Sequence, residues 1–313
     1  MNITVRQLGY VLTAARLRSI SRASSKLGIS QSSIAAAIDK MEREFNVTIF
    51  VRQQSKGLVI TSLGSEVLGH VGRLLSDVEN FEQELSGLGH ALEGALNVGC
   101  FAPVSPHMLP PIINNLTKKH PNIQVHLHEG DLRRVQEFLR DGVVDIALTY
   151  NLGLDGNFKC EELNEAPAHV ILAESNPLAK QDDVSLTELI DQPMILLDLP
   201  ESRTYFELLF ETVGAHPRIA HRTETYEMVR SLVATGMGFS ILNLRPLIDH
   251  TYNGQRVICL PIRENVLAPK FILAQRPHDF PTSLMSAFST ACRDYIRSEK
   301  AAGCFMRRAP DAA

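Results

Sequence analysis

Apolar positions follow three successive rules along the chain. In the first 60 residues they recur at short helical intervals. Val5, Leu8, Val11, Leu12 and Ala15 predict a first helix over residues 4–16. The run SRASSKL, with Ser21 as its cap, predicts a second helix that stops at Gly28. Ser30 then caps a third, QSSIAAAIDKMEREF, whose buried stripe is Ile34, Ile38, Met41 and Phe45. Beyond it, VTIFVRQQSKGLVIT places two apolar runs around Gln53–Gly57, the pattern of a β-hairpin.

The second rule covers residues 62–92. Val67, Val71, Leu74, Val78, Phe81, Leu85, Leu88 and Leu92 alternate in steps of four and three. That strict 3.5-residue period predicts a long helix whose narrow seam pairs with another helix, so these residues are candidates for dimerisation. Gly87, Gly89 and Gly94 mark its exit. The third rule fills residues 93–303. Strand-like runs (ALNVGCF, IQVHLHE, VDIALTY, AHVILAE, PMILLDL, RIAHRT, GFSILNL, PKFILAQ) alternate with helical stretches such as DLRRVQEFLRDG, SLTELI, SRTYFELLFETVG and TYEMVRSLVATG. A closing helix follows in PTSLMSAFSTACRDYIRSEK. This alternation predicts βαβ units and an α/β fold. The tail at 304–313 reads as disordered.

Charge sharpens the division. Residues 1–60 hold nine Lys or Arg against three acids, a net +6, while the remainder carries −10; the overall −4 hides the split. A basic module on an acidic body suggests a head that binds a polyanion. An apolar fraction of 44% supports proper cores. No run of 18 apolar residues and no signal-peptide core is present, and five scattered cysteines form no CxxC. A cytoplasmic protein without a membrane partner is therefore expected.

The corner Leu27-Gly28-Ile29-Ser30 between two short helices is the helix–turn–helix arrangement, which presents the start of its second helix to the major groove. Ser30, Gln31, Ser32 and Ser33 occupy that start. Gln can pair bidentately with adenine, and Ser with several bases. Arg52 and Lys56, at the hairpin, suit phosphate or the minor groove.

Residues 1–64 resemble the winged helix–turn–helix of LysR-type transcriptional regulators. Ile29–Gln31 (ISQ), Ile49-Phe50 and Ile60–Gly64 (ITSLG) carry the likeness most specifically. One departure is visible: where the family has a polar pair such as Ser-Arg, one turn into the recognition helix, this chain has Ala35 and Ala36. The resemblance implies an α/β protein with an all-α winged helix–turn–helix head at 1–61, a dimerising linker helix at 62–92, and a two-lobed effector domain at 93–303 akin to periplasmic binding proteins. Lobe I would comprise about 93–150 and 268–303, and lobe II about 163–262. Crossings between them would fall near 150–165 and 262–269.

Ligands in open α/β sheets bind at the carboxyl ends of strands, near helix starts. Two such corners stand out. The first is Phe101, Ala102, Val104 and Ser105, with Ser105 as helix cap. The second is Ser202 and Arg203, with Ser202 as cap and Arg203 as a fork for a carboxylate. Thr149 and Tyr150 end another strand, and Phe239 closes a glycine-containing loop; Thr149 and Phe239 join the candidates.

No catalytic motif or cofactor signature appears, and His126 with His128 lacks a third metal ligand. The expectation is a non-enzymatic, self-associating regulator, a dimer or tetramer. It would bind double-stranded promoter DNA and a small, anionic effector, with RNA polymerase as a further partner. Two alternatives stand beside it: a thiol-based redox sensor using Cys100, and a solute-binding protein or enzyme with a basic accessory head.

Overall fold

The computed structural model describes residues 3–53, 57–87, 92–154, 156–277 and 282–309. These form two compact units: residues 1–90 with 138–145, and residues 91–137 with 146–313.

In the first unit, α1 (Val5–Leu17) starts on a capping box between Thr4 and Gln7 and ends with Arg18 in the left-handed region. That sharp end brings Ser19 at once into the extended conformation, so Ser19 caps α2 (Ile20–Leu27), two residues before the expected Ser21. Gly28 closes α2 and Ser30 caps α3 (Gln31–Phe45), accepting from the Ser33 amide. Ile34, Ile38 and Met41 are buried as expected, but Phe45 is 44% exposed and Ala37 is buried instead. The last turn of α3 ends on left-handed Asn46, beyond the packed part of the helix.

The hairpin is β1 (Phe50–Gln53) and β2 (Gly57–Ile60), paired Phe50 with Ile60 and Arg52 with Leu58. A long helix, α4 (Ser62–Gly87), follows. Val11, Ala14, Ala23, Ile34, Met41, Ile49 and Val71 meet in one core. Each of the larger ones, Val11, Ile34, Met41, Ile49 and Val71, contributes about 1.5–3 kcal/mol through burial.

The second unit holds both lobes. In lobe I, β3 (Glu93–Phe101), β4 (Asn122–Gly130), β5 (Ile146–Tyr150), β6 (Lys159–Glu165) and β12 (Lys270–Gln275) form one sheet in the order β4-β3-β5-β12-β6. The first three strands run parallel, and β12 is antiparallel to both its neighbours. Helix α5 (Ser105–Lys119) follows β3, α6 (Leu132–Arg140) follows β4, and α9 (Ser283–Ile296) packs on α5.

Lobe II contains β7 (His169–Ala173), flanked by β10 (Ser240–Leu242) and β11 (Val257–Pro261), and a parallel pair β8 (Pro193–Leu197) and β9 (Arg218–Thr223). Its helices are α7 (Pro200–Glu211) and α8 (Tyr226–Ala234). The Phe239 carbonyl accepts from Ile195, and its amide donates to Pro193, so the two strand groups are stitched together. Gly238 permits the stitch: a Cβ there would lie 2.0 Å from the Pro193 oxygen.

Four expectations change. Strand β6 belongs to lobe I beside β12, so the first crossing follows Glu165 rather than spanning 150–165. Residues 262–269 connect β11 to β12. SLTELI forms only a 3-10 turn, Leu186–Leu189, capped by Ser185. Strand β11 was not anticipated: its apolar run, VICL, is only four residues long, and the strand is partly buried. The tail is ordered as far as it is described: past α10 (Glu299–Ala302), Cys304 and Phe305 are buried, the latter's ring 5.6 Å from Phe271. Among the described residues no helix is long and apolar enough to cross a membrane.

Candidate nucleic-acid interface and inter-lobe pocket

The start of α3 is presented as the helix–turn–helix pattern requires. Ser30, Gln31, Ser32 and Ser33 are all exposed, and so is Ala36. The Ser30 Oγ lies 2.8 Å from the Ser32 and Ser33 hydroxyls, so these three are tied to the cap while Gln31 extends the longest reach at this end of the helix. Two further residues fix the base of the hairpin, Glu42 from α3 and Thr61 just ahead of α4. One carboxylate oxygen of Glu42 accepts the amides of Ile49, at 2.6 Å, and Phe50, at 3.0 Å. Thr61 Oγ1 donates to the Thr48 carbonyl and accepts from the Gly64 amide. A Cβ on Gly64 would lie 2.3 Å from the Ile49 oxygen. The ITSLG run is thus a clamp at the base of the hairpin, and Gly64 is set by close approach of backbone. The backbone of Arg52 lies in β1; its side chain, and all of Lys56, lie outside the described residues.

Between the lobes lies a small cavity of about 20 Å³. Lobe I lines it with Phe101, Val104 and Tyr150, and lobe II with Ser202, Phe206, Tyr226 and Asn243. Three of the expected residues, Phe101, Val104 and Ser202, therefore converge. The capping roles differ. Val104 is the N-cap of α5 with Ser105 at its first position, and Leu199 is the N-cap of α7, which begins at Pro200. Proline with its preset φ starts α7 before Ser202 can cap it. Ser105 and Ser202 are both buried.

Thr149 is buried in the sheet opposite Ile272; its neighbour Tyr150 lines the cavity, because adjacent strand residues face opposite ways. Phe239 is fully buried inside lobe II, its ring 6.2 Å from Phe210, and is no part of the wall. Ala102 lines a separate open groove of about 840 Å³, beside Pro106, His107, Arg230 and Tyr252. Arg230 is buried there and satisfied by Glu227 at 2.6 Å and by the Ile248 and His250 carbonyls. Arg203 is no fork into the cavity. Its Nε pairs with Asp198 at 2.6 Å on a partly exposed surface that Arg222 shares.

Sequence reasoning missed Phe206, Tyr226 and Asn243, and passed over Tyr150 in favour of Thr149. The available signal was an aromatic residue at a strand's carboxyl end. The Tyr226 hydroxyl donates to the Leu244 carbonyl at 2.5 Å, and Asn243 Nδ2 donates to the Ala166 carbonyl at 2.8 Å. The Tyr150 hydroxyl is buried and has no hydrogen-bond partner among the described residues. Burial pushes its phenol well up, so it stays protonated.

Residues 5–65 match the model for bacterial regulatory helix-turn-helix proteins of the lysR family, and residues 89–297 match the LysR substrate binding domain. The chain belongs to the LysR family of transcriptional regulators. A solved LysR family transcriptional regulator from Pseudomonas aeruginosa is 32% identical, with a TM-score of 0.62, covering 95% of this chain and 100% of its own. A full-length OxyR variant from the same species has a TM-score of 0.73 at 20% identity, over 93% of this chain and 98% of its own. The effector binding domain of QuiR in complex with shikimate has a TM-score of 0.56 at 22% identity, over 65% of this chain and 97% of its own. The last two show likeness of fold alone.

The linker seam of this LysR-type regulator is divided. Val71 is buried in the core of the helix–turn–helix unit, together with Leu68, and Val67 and Leu75 pack against that core. Leu74 and Phe81 are 41% and 60% exposed, and Val78 is half-buried. The side chain of Leu85, and all of Leu88, lie outside the described residues. Cys100 is fully buried, and burial followed by Glu129 pushes its thiol up. That is the opposite of the lowered pKa and access a reactive thiolate needs.

Proposed function

We propose that this LysR-type regulator binds an interrupted promoter site through two copies of its head. Their α4 helices would be paired along the seam from Leu74 onward, and a small molecule entering between the lobes would set its activity. The observation that carries the ligand reading is the inter-lobe cavity itself. Residues of both lobes line it, at the carboxyl ends of β3, β5 and β8, where open α/β sheets take their ligands. At about 20 Å³ it holds little more than one water. Any larger guest must therefore part the lobes, and a ligand that prefers the parted state shifts the population toward it.

The test begins with promoter fragments enriched from genomic DNA and a thermal-shift screen of metabolites on the full chain. A hit should change operator binding in a gel shift. Filling the half-buried wall with Leu152→Trp should remove that response and keep operator binding. A hit that acts unchanged on Leu152→Trp would place the signal elsewhere. The redox alternative gains no support from Cys100, whose thiol is buried and pushed up.

A further inference from the structure

We infer that the inter-lobe pocket takes an uncharged, ring-shaped small molecule with one oxygen acceptor, selected by a hydrogen bond from the Tyr150 hydroxyl, and that it excludes a carboxylate. This deepens the proposed function and rests on the inter-lobe reading. Three observations carry it.

The first is Tyr150, which lines the cavity and whose hydroxyl is buried with no partner among the described residues. Buried hydroxyls are normally paired, so an unpaired one facing a cavity marks a place for a partner. The other polar groups on the wall are largely committed: Tyr226 donates to Leu244 and Asn243 to Ala166. Ser202 is the remaining hydroxyl there.

The second is the absence of any Lys, Arg or His among the residues lining the cavity. Arg203, the nearest guanidinium along α7, is held outside by Asp198. The first turn of α7, which would favour an anion, already carries Glu201, whose carboxylate accepts from Arg133 at 3.1 Å. A guest carboxylate would be desolvated here without a cation. The third is the wall itself. Phe101, Phe206 and Tyr226 line it beside Leu152, Leu197, Leu242 and Leu244, and Phe101 and Tyr150 already meet edge-on at 5.7 Å. Flat faces of this kind accept another ring.

The test uses the full chain and four probes of one size: benzamide and methyl benzoate as neutral acceptors, toluene without an acceptor, and benzoate with a charge. Calorimetry and thermal shift should show the two neutral acceptors binding more tightly than benzoate. Tyr150→Phe should weaken them about tenfold and leave toluene unchanged. Benzoate binding more tightly than benzamide would overturn the ligand class. So would equal binding of methyl benzoate to Tyr150→Phe, or no response to either neutral acceptor at millimolar concentration. Leu152→Trp separates this from the reading beneath it. If the probes bind Leu152→Trp as well as the parent, the inter-lobe site has failed. If Leu152→Trp abolishes benzoate binding and Tyr150→Phe does not, only the choice of an uncharged ligand has failed.

Discussion

At the scale of single residues, two buried polar groups stand apart, and they play opposite parts. Tyr150 lines a cavity and has no partner for its hydroxyl among the described residues; His169, on β7, is packed within the protein. Both ring nitrogens of His169 lack a hydrogen-bond partner, and the side chain is fully buried. Burial, reinforced by Arg245, pushes its pKa down to about 3. The unfolded chain would titrate near about 6.5. Between these values the unfolded state binds a proton that the folded state refuses, so stability is full above about pH 6.5 and is lost as pH falls toward 3. The slope is about 1.4 kcal/mol per pH unit. Urea denaturation at pH 5.0 and 7.5 should show this loss, and His169→Leu should reduce it by about 2 kcal/mol over that span. An unchanged difference in His169→Leu would assign the pH dependence to other groups, of which His107, also pushed down by burial, has the same sign.

Residue roles were the least legible part of the sequence. Side-chain hydroxyls identify helix starts well, as Thr4, Ser30 and Thr282 show. They mislead where a proline or a left-handed residue starts the helix earlier, as at Ser202 and Ser21. Choosing Tyr150 over Thr149 required knowing which face of β5 lines the cavity, and that is a tertiary fact. Arg203 looked like an anion fork only because Asp198, five residues away, could not be recognised as its partner.

At the scale of elements, periodicity was the reliable signal. It located the three head helices, the hairpin and the long α4 to within a few residues. It did not say what covers each stretch of α4. The 3.5-residue seam is continuous in sequence, yet its first part is consumed by the helix–turn–helix core, and among the described seam residues Leu74 and Phe81 offer apolar surface. Strand β6 escaped notice because KCEELNE is a half-covered edge strand without a clean apolar pattern, and β11 because its apolar run, VICL, is only four residues long. The divided seam makes a two-part prediction. The double substitution Leu74→Glu and Phe81→Glu should leave the head folded by circular dichroism and dissociate the assembly in light scattering, since like charges would be buried across the seam. Val71→Glu should instead unfold the head, because it places a charge in the core. Unchanged mass in the double variant would move self-association to another surface.

At the scale of the whole molecule, the charge split separates two tasks. A head of +6 attracts DNA, and the rest of the chain, at −10, is kept from it. The family match covers the head and most of the body, so the division of labour is that of a LysR-type regulator. The body supplies its own ligand chemistry. Its cavity is lined by aromatic and aliphatic side chains and one unpaired hydroxyl rather than by cations, and an effector would be chosen by shape and a single hydrogen bond. The most direct test of sequence-specific DNA binding is fluorescence anisotropy of the full chain on an enriched operator and on a scrambled duplex over a salt series. The account predicts a preference for the operator, binding that weakens steeply with salt, and a loss of about 1–3 kcal/mol of discrimination in Gln31→Ala. Equal affinity of the parent for both duplexes, or a Gln31→Ala variant with undiminished preference, would contradict it.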